Sequence, residues 1–403
     1  MVHTHLILLC LYFVLGPLAW VGMFAGYFLA ASRMDRLRKA RSLSEIPPTL
    51  TVLIPAKDEG HDIERCVRGV LALDYPSFSV IAIDDRSTDS TGTVLDRIAA
   101  ESADGKLRVI HITDGGLPAG WLGKCHALAV AAATVQSDWI LFVDSDVQVQ
   151  RDALRIALSN AVDRKYDAVS ILTRLECHSF WEKLVLPLAA ATWAVMFTVS
   201  TTNNDDRKQD AAANGQFFLI RRSAYESVGG HAAVRDQITE DVELMRRLKF
   251  NGFRTRLLFG DHLATTRMHA TLRQMLHGWG RIYSGTSRRR MGRIIATMLL
   301  LPIMGLSVYP MLLLSIGHPL WLAASVTHFI LMTAYLAMIY GKSGQPRWPA
   351  LLLPLGCGVL LALLAYALQM CRTGRVIWRD THYAAWQPQV TPAERGANGN
   401  DPL

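Results

Sequence analysis

Four long apolar stretches and a series of short ones divide the chain. Residues 6–31 contain no Asp, Glu, Lys or Arg, a length that exceeds the roughly 20 helical residues needed to cross a hydrocarbon core. Three more apolar blocks occupy residues 294–316, 320–340 and 350–370, each at or near spanning length. One N-terminal and about three C-terminal transmembrane helices are therefore expected. Between the first block and the second, the pattern changes to short β-rich runs alternating with helical ones. Residues 49–56, 78–84, 107–112 and 140–146 read as strands, with helices over about 61–73, 88–100 and 124–134 between them. Nearly all-apolar strands in strand-helix-strand order predict an α/β fold with a mostly parallel sheet covered by helices on both faces.

Charge fixes the orientation of the apolar blocks. Only His3 and His5 precede the first, whereas Arg33, Arg36, Arg38, Lys39 and Arg41 follow it. A secretory signal shows the opposite arrangement around a shorter core. The pattern predicts an uncleaved anchor with its N-terminus outside and the next segment in the cytoplasm. Arg288, Arg289, Arg290 and Arg293, and then Lys342 and Arg347, place two further loops inside, which leaves the Gly317-His318-Pro319 turn outside. Strict alternation sends the C-terminus outside, while Arg372, Arg375 and Arg379 argue for inside. A re-entrant final segment would reconcile the two.

At 403 residues the chain has room for two or three domains. A net charge of +8 suits nucleic acid in general, but basic residues beside spans are explained by orientation and by anionic headgroups. The expected partner is the bilayer, not nucleic acid. Cys10, Cys66, Cys125, Cys177, Cys357 and Cys371 show no Cys-X-X-Cys spacing, as befits reduced, metal-free thiols in cytoplasm or lipid.

Carboxylates stand where the first, second and fourth strands end, in Pro55-Ala56-Lys57-Asp58-Glu59, Asp84-Asp85-Arg86-Ser87-Thr88-Asp89 and Asp144-Ser145-Asp146. Ligands of parallel sheets lie at the carboxyl ends of strands. The fourth strand runs extended into this pair, so Asp144 and Asp146 share one side and can hold one hard cation, Mg²⁺ or Mn²⁺, with Ser145 facing elsewhere. Purely structural roles compete: Asp85 or Ser87 capping the next helix with Asp89 in its first turn, and Thr239 capping a helix that opens with Glu240 and Asp241. The Gly-rich loop before Lys124 leads to a helix start that, with the lysine, suits an anion. Residues 180–200 read either as a third-layer core helix or as an interfacial one with Trp181 and Trp193 at headgroup level. Residues 203–210 read as a mobile loop, and residues 271–286, with Trp279, as an amphipathic basic helix on the membrane surface.

With Gly123-Lys124-Cys125-His126-Ala127-Leu128 and Thr239-Glu240-Asp241, these five blocks resemble, in order and spacing, family 2 glycosyltransferases of the GT-A fold. The resemblance covers residues 49–290. It implies a nucleotide-sugar donor, expected to be UDP-linked, with Pro55, Ala56, Asp58, Glu59 and Asp85 toward the nucleoside. It implies Lys124, Asp144, Ser145 and Asp146 toward diphosphate and metal, Asp241 as base and Glu240 beside it. Asp58 stands where the family often has Asn, and Arg86 where Gly is frequent. Processive members usually show Gln-X-X-Arg-Trp; His277-Gly278-Trp279-Gly280-Arg281 here is more similar to the non-processive, lipid-modifying branch, including hopanoid-associated, carotenoid and ceramide glycosyltransferases. Residues 376–383 resemble the tail of such enzymes.

The expected organisation is a membrane anchor with a basic segment (1–48), a cytoplasmic GT-A domain with interfacial helices (49–290), C-terminal spans (291–372) and a tail (373–403). The expected function is inverting transfer of one sugar to a membrane lipid at the bacterial inner membrane. The competing readings are a processive polysaccharide synthase and a non-catalytic membrane scaffold that keeps the fold.

Overall fold

The computed structural model describes residues 2–33, 37, 47–102, 104–113, 116–196, 201–260, 262–287, 291–374, 376–378, 381–384 and 387–389. Arg36, Arg38, Lys39, Arg41, Arg288, Arg289, Arg290, Arg375 and Arg379 lie outside them, as do residues 197–200 and the end of the expected tail. In chain order the elements begin with α1 (Val2–Phe13), a π-helical turn (Val14–Leu18) and α2 (Ala19–Arg33). An alternating series follows: β1 (Leu50–Ala56), α3 (Ile63–Leu71), β2 (Phe78–Asp85), α4 (Thr91–Glu101), β3 (Leu107–Ile112), α5 (Gly123–Ala132), β4 (Trp139–Val143), β5 (Val147–Val149), α6 (Ala153–Asp163), β6 (Ala168–Leu172) and β7 (Arg174–Leu175). Next come α7 (Phe180–Met196), β8 (Phe217–Arg221), α8 (Arg222–Ser227), α9 (Glu240–Phe250), β9 (Thr255–Phe259) and β10 (Ala264–Thr266). The last helices are α10 (Leu272–Thr286), α11 (Met291–Gly305), α12 (Val308–Leu314), α13 (Pro319–Lys342) and α14 (Leu353–Thr373).

Two compact units result. One combines residues 34–176, 201–268 and 373–403; the other combines residues 1–33, 177–200 and 269–372. The first is built on a seven-stranded sheet in the order β3-β2-β1-β4-β8-β6-β9. Only β8 runs antiparallel to its neighbours, so the sheet is mostly parallel, as the apolar strands predicted. Alternation sends Val52 and Ile54 into one core and Leu53 into the other. Helix α3 closes the first core because Ile63, Cys66, Val67 and Val70 recur at helical spacing on one face. Pro55 is tolerated in β1 because pairing with β4 ends at Leu53, so no ladder bond on that side is lost.

The edge strand β9 is covered by a side chain. Asn203 donates Nδ2 to the Leu257 carbonyl at 2.9 Å and accepts the Leu257 amide on Oδ1 at 2.8 Å, imitating a strand and closing the ladder. Residues 201–212 are also held by the buried Lys249, whose Nζ donates to the Thr202 and Asp210 carbonyls at 2.7 and 2.8 Å. Burial lowers its pKa to about 8. The segment that composition assigned to a mobile loop is pinned at Thr202, Asn203 and Asp210, while residues 204–209 between them are exposed.

In the other unit, four helices among the described residues are long and apolar enough to cross a membrane: Thr4–Ser32, Met291–Leu314, Pro319–Lys342 and Trp348–Thr373. The first bends through the π-helical turn at Gly16 and Pro17. There the His328 ring of α13 fills the space a Cβ on Gly16 would take, 2.6 Å from Nδ1. Tyr12 Oη donates to His328 Nδ1 at 3.0 Å, while His328 Nε2 and Trp20 Nε1 donate to the Met304 carbonyl at 2.7 and 2.9 Å. Helix α7 packs with these helices: Tyr283 and Tyr340 donate to its Ala189 and Leu184 carbonyls at 2.8 and 2.6 Å. Its start is a capping box, Ser179 with the buried Glu182, a Ser-X-X-Glu signal the sequence reading passed over. Trp279 is 5 % exposed and packs on Tyr283 with ring centroids 6.0 Å apart. It is buried within this unit rather than lying on its surface as expected, and at Gly278 and Gly280 on either side of it α10 approaches the His269 and Tyr366 rings closely.

Candidate active site

Register gathers the acids. Ala56 pairs with Asp84 across β1 and β2, and β4 beside them ends at Val143. Antiparallel β8 starts at this same edge, Phe217 opposite Val143, so Asn214, Gly215 and Gln216 arrive there as well. A cavity of about 660 Å³ lies instead at the amino ends of β1, β2 and β3, lined by Thr51, Ser79, Lys106 and Arg108 among others. It contains none of the residues the sequence singled out.

Lys124, in the first turn of α5, is the hub. Its Nζ lies 2.7 Å from Asp144 Oδ1 and 2.7 Å from Glu240 Oε1. Burial lowers the lysine pKa, but Asp144, Glu240 and Asp241 outweigh it and hold the ammonium well above the ordinary range. Asp241 accepts the Gly215 amide on Oδ2 at 2.7 Å and the Val242 amide on Oδ1 at 2.8 Å. Burial, and then the Glu240 charge, push its carboxyl up to about 7. Thr239 occupies the N-cap position of α9, but its side chain makes no capping bond. The expected cap by Thr239 is absent, but Glu240 and Asp241 do stand in the first turn of α9, where Asp241 takes the Val242 amide.

The Asp-Ser-Asp stretch departs from expectation. The strand stops at Val143 and the chain turns, closed by Val147 N to the Asp144 carbonyl at 3.1 Å. Alternation along a strand therefore does not align Asp144 with Asp146. Ser145 is buried and donates to Glu59 Oε1 at 2.8 Å, tying this turn to the end of β1. No group of three or more His, Cys, Asp or Glu placed to hold a metal occurs among the described residues. Asp144 and Asp146 offer hard oxygens that suit Mg²⁺ or Mn²⁺, ions bound through one or two carboxylates with substrate phosphates completing the shell. The donor chemistry fits such an ion in company with a diphosphate.

The loops after β1 and β2 are braced together. Asp58, in left-handed backbone at φ 53°, donates its amide to Ser87 Oγ at 3.0 Å and accepts the Thr88 amide at 2.7 Å. Glu59 N donates to Thr91 Oγ1 at 2.8 Å, and Gly60 N to Asp89 Oδ2 at 2.9 Å. Ser87 thus serves the neighbouring loop rather than capping α4, and the Asp58 carboxylate is engaged in the brace. Ala56 belongs to the apolar core, leaving only its backbone to face a ligand. Asp85 is buried and ion-paired with Arg86. Sequence reasoning missed this clasp, whose signal was a cation directly after a strand-end acid.

The family model described as glycosyltransferase like family 2 matches residues 47–280, more than half of the chain, and the chain belongs to this family. A 4,4'-diaponeurosporenoate glycosyltransferase of Staphylococcus aureus is 27% identical over 208 residues, 51% of this chain and 52% of that protein. A beta-monoglucosyldiacylglycerol synthase of Trichormus variabilis is 27% identical over 264 residues, 64% of this chain and 53% of its own length. The chain thus spans about half the length of the curated relatives it matches. Among solved structures, a mannosyltransferase from Pyrobaculum calidifontis in complex with GDP-Man and Mn²⁺ superimposes with a TM-score of 0.53 at 18% identity, covering 90% of this chain and 99% of that one. That likeness concerns the fold, which is GT-A-like.

Proposed function

We propose that this protein is a membrane-bound glycosyltransferase that moves one sugar from a nucleoside-diphosphate sugar to a lipid acceptor, inverting the anomeric centre in a single displacement. The observation that supports this most is the Lys124 hub, which joins the Asp144 carboxylate to the Glu240–Asp241 pair. Asp241, aligned by the two amides of Gly215 and Val242, accepts the acceptor's proton as the new bond forms. Lys124 offers its ammonium to the departing diphosphate. A divalent ion, when held by Asp144 and Asp146, supplies charge neutralisation of the leaving group.

The lipid acceptor is supported by the four spanning-length helices and by relatives whose names specify diaponeurosporenoate and diacylglycerol. Both names describe apolar molecules that dissolve in bilayers, and a hopanoid-type lipid fits the same description. The donor is expected to be UDP-linked, and the catalytic unit to face the cytoplasm at the bacterial inner membrane. The test uses purified full-length protein in nanodiscs with radiolabelled UDP-sugars, Mn²⁺ and bacterial lipid extract. One or few sugars on an organic-extractable product support the reading; a long water-soluble polymer, or no turnover with any donor, overturns it.

A further inference from the structure

Helix α5 ends at Ala132, short of the amino edge of the sheet it covers. Leu53 and Ile81 lie beneath it, in one core with Ala127, Leu128 and Ala131. Thr51 and Ser79 pair across β1 and β2 one pleat earlier on the same face, beyond the last turn of α5, and the cavity of about 660 Å³ opens there. Its floor is a line of hydroxyls. Ser137 Oγ donates to Thr51 Oγ1 at 2.9 Å, and Thr51 Oγ1 and Ser79 Oγ are hydrogen-bonded at 3.1 Å. Donation running from Ser137 through Thr51 leaves the Ser79 hydrogen for a ligand. Two cations are tethered to the walls: Lys106 Nζ stands 5.3 Å from the centre of the Phe78 ring, and Arg108 Nη2 donates to Thr134 Oγ1. Asp104 Oδ2 lies 3.2 Å from Lys106 Nζ, but an ammonium has further N–H groups to give, as does a guanidinium. Among the described lining residues there is no Asp or Glu. The end of α5 does not oppose an anion either, since the Ala131 and Ala132 carbonyls accept the Thr134 and Val135 amides at 3.0 and 3.1 Å.

We infer that this cavity binds a phosphomonoester group, at the end of the sheet opposite the candidate active site. Such a group carries close to two negative charges near neutral pH, which matches Lys106 and Arg108. Its oxygens accept from the forked guanidinium, the ammonium and the Ser79 hydroxyl together. Phe78 and Val135 give the cavity an apolar wall for a short carbon skeleton, and its volume falls within the range of small-molecule pockets. The inference stands apart from the transferase reading, because none of these residues belongs to the edge that gathers Lys124, Asp144 and Asp241.

The experiment is calorimetric titration of the full-length protein in nanodiscs with glycerol phosphate, in the absence of nucleotide. Saturable binding is expected, and glycerol alone should show none. Lys106→Gln and Arg108→Gln should each weaken it by roughly 10- to 100-fold, the worth of a charge-assisted hydrogen bond. Lys106→Gln alters only a pair at the rim, so it keeps the test valid should Arg108→Gln lower the melting temperature. Lys124→Met should leave the affinity unchanged, because Lys124 stands at the other end of the sheet. No saturable binding, an unchanged affinity in both glutamine variants, or loss in Lys124→Met overturns the inference and leaves the transferase reading standing. The same phosphate group occurs on phosphatidic acid, so nanodiscs of phosphatidylglycerol and of phosphatidic acid distinguish the sources. Equal binding in both supports a dissolved ligand, and weaker binding in phosphatidic acid supports a lipid headgroup in the same site.

Discussion

Gly215 donates its amide to Asp241 Oδ2 at 2.7 Å, and a Cβ in its place would stand 3.4 Å from that oxygen and 3.2 Å from Lys124 Nζ. The site has no slack at this position. Gly215→Ala presses on Lys124, whose ammonium must give by a few tenths of an ångström. A displacement of a full ångström costs about 100-fold, so a kcat loss on the order of 10-fold is expected, with thermal stability little changed. An unchanged kcat for Gly215→Ala would show that the alignment is not used.

Asp241 governs the pH profile. A base must be deprotonated, so kcat/KM should rise with pH and level off above about 7, the value to which burial and Glu240 raise its carboxyl. The same raised pKa gives a stability contribution that is complete below the unfolded value of about 4 and is lost as pH rises through 7. Asp241→Asn should remove the rising limb and lower transfer by roughly 100- to 10,000-fold. If its rate stays near the parental one, Glu240 becomes the base to test.

Lys124 keeps two carboxylates apart electrically. Lys124→Met leaves Asp144 facing Glu240 with no cation between them, and the melting temperature should fall. Added Mn²⁺ should restore part of that loss by replacing the missing charge, and to a greater extent than in the parent. Chelation should abolish transfer by the parent, as should Asp144→Ala or Asp146→Ala with membrane insertion intact. Melting curves with and without Mn²⁺, beside transfer assays in excess chelator, check both statements.

Close approach within the membrane unit is set by glycine. A Cβ on Gly280 would lie 2.6 Å from Tyr366 Cδ1, and Tyr366 is fixed by its hydroxyl bond to His277 Nδ1 at 3.0 Å. Gly280→Ala should destabilise by the roughly 1–3 kcal/mol typical of overpacking, read as a lower melting temperature in detergent. A melting temperature equal to the parent's would show that the ring can move aside.

Apolar patterning made the spans and the parallel sheet legible, since strands buried on both faces and helices of spanning length need continuous apolar runs. Acids at strand ends, legible in the sequence, come together at one sheet edge. What the sequence concealed was tertiary. The turn at Asp144 follows the last residue of β4, Val143, which still pairs with Phe217 of β8. The order in residues 201–212 depends on Lys249 and on the free edge of β9, which lie about 40 to 50 positions away. Trp279 looked interfacial because a helical wheel does not show which tertiary neighbours cover it.

The N-terminal span emerges from the ribosome first, yet the histidine that receives the Tyr12 hydroxyl lies 316 positions further on. Until α11 and α13 are synthesised, Tyr12 and Trp20 lack these partners. The Gly16–Pro17 turn has no ring to fill it during that time. The polar node therefore closes only once α13 has been made, joining residues 4–32 to residues 319–342.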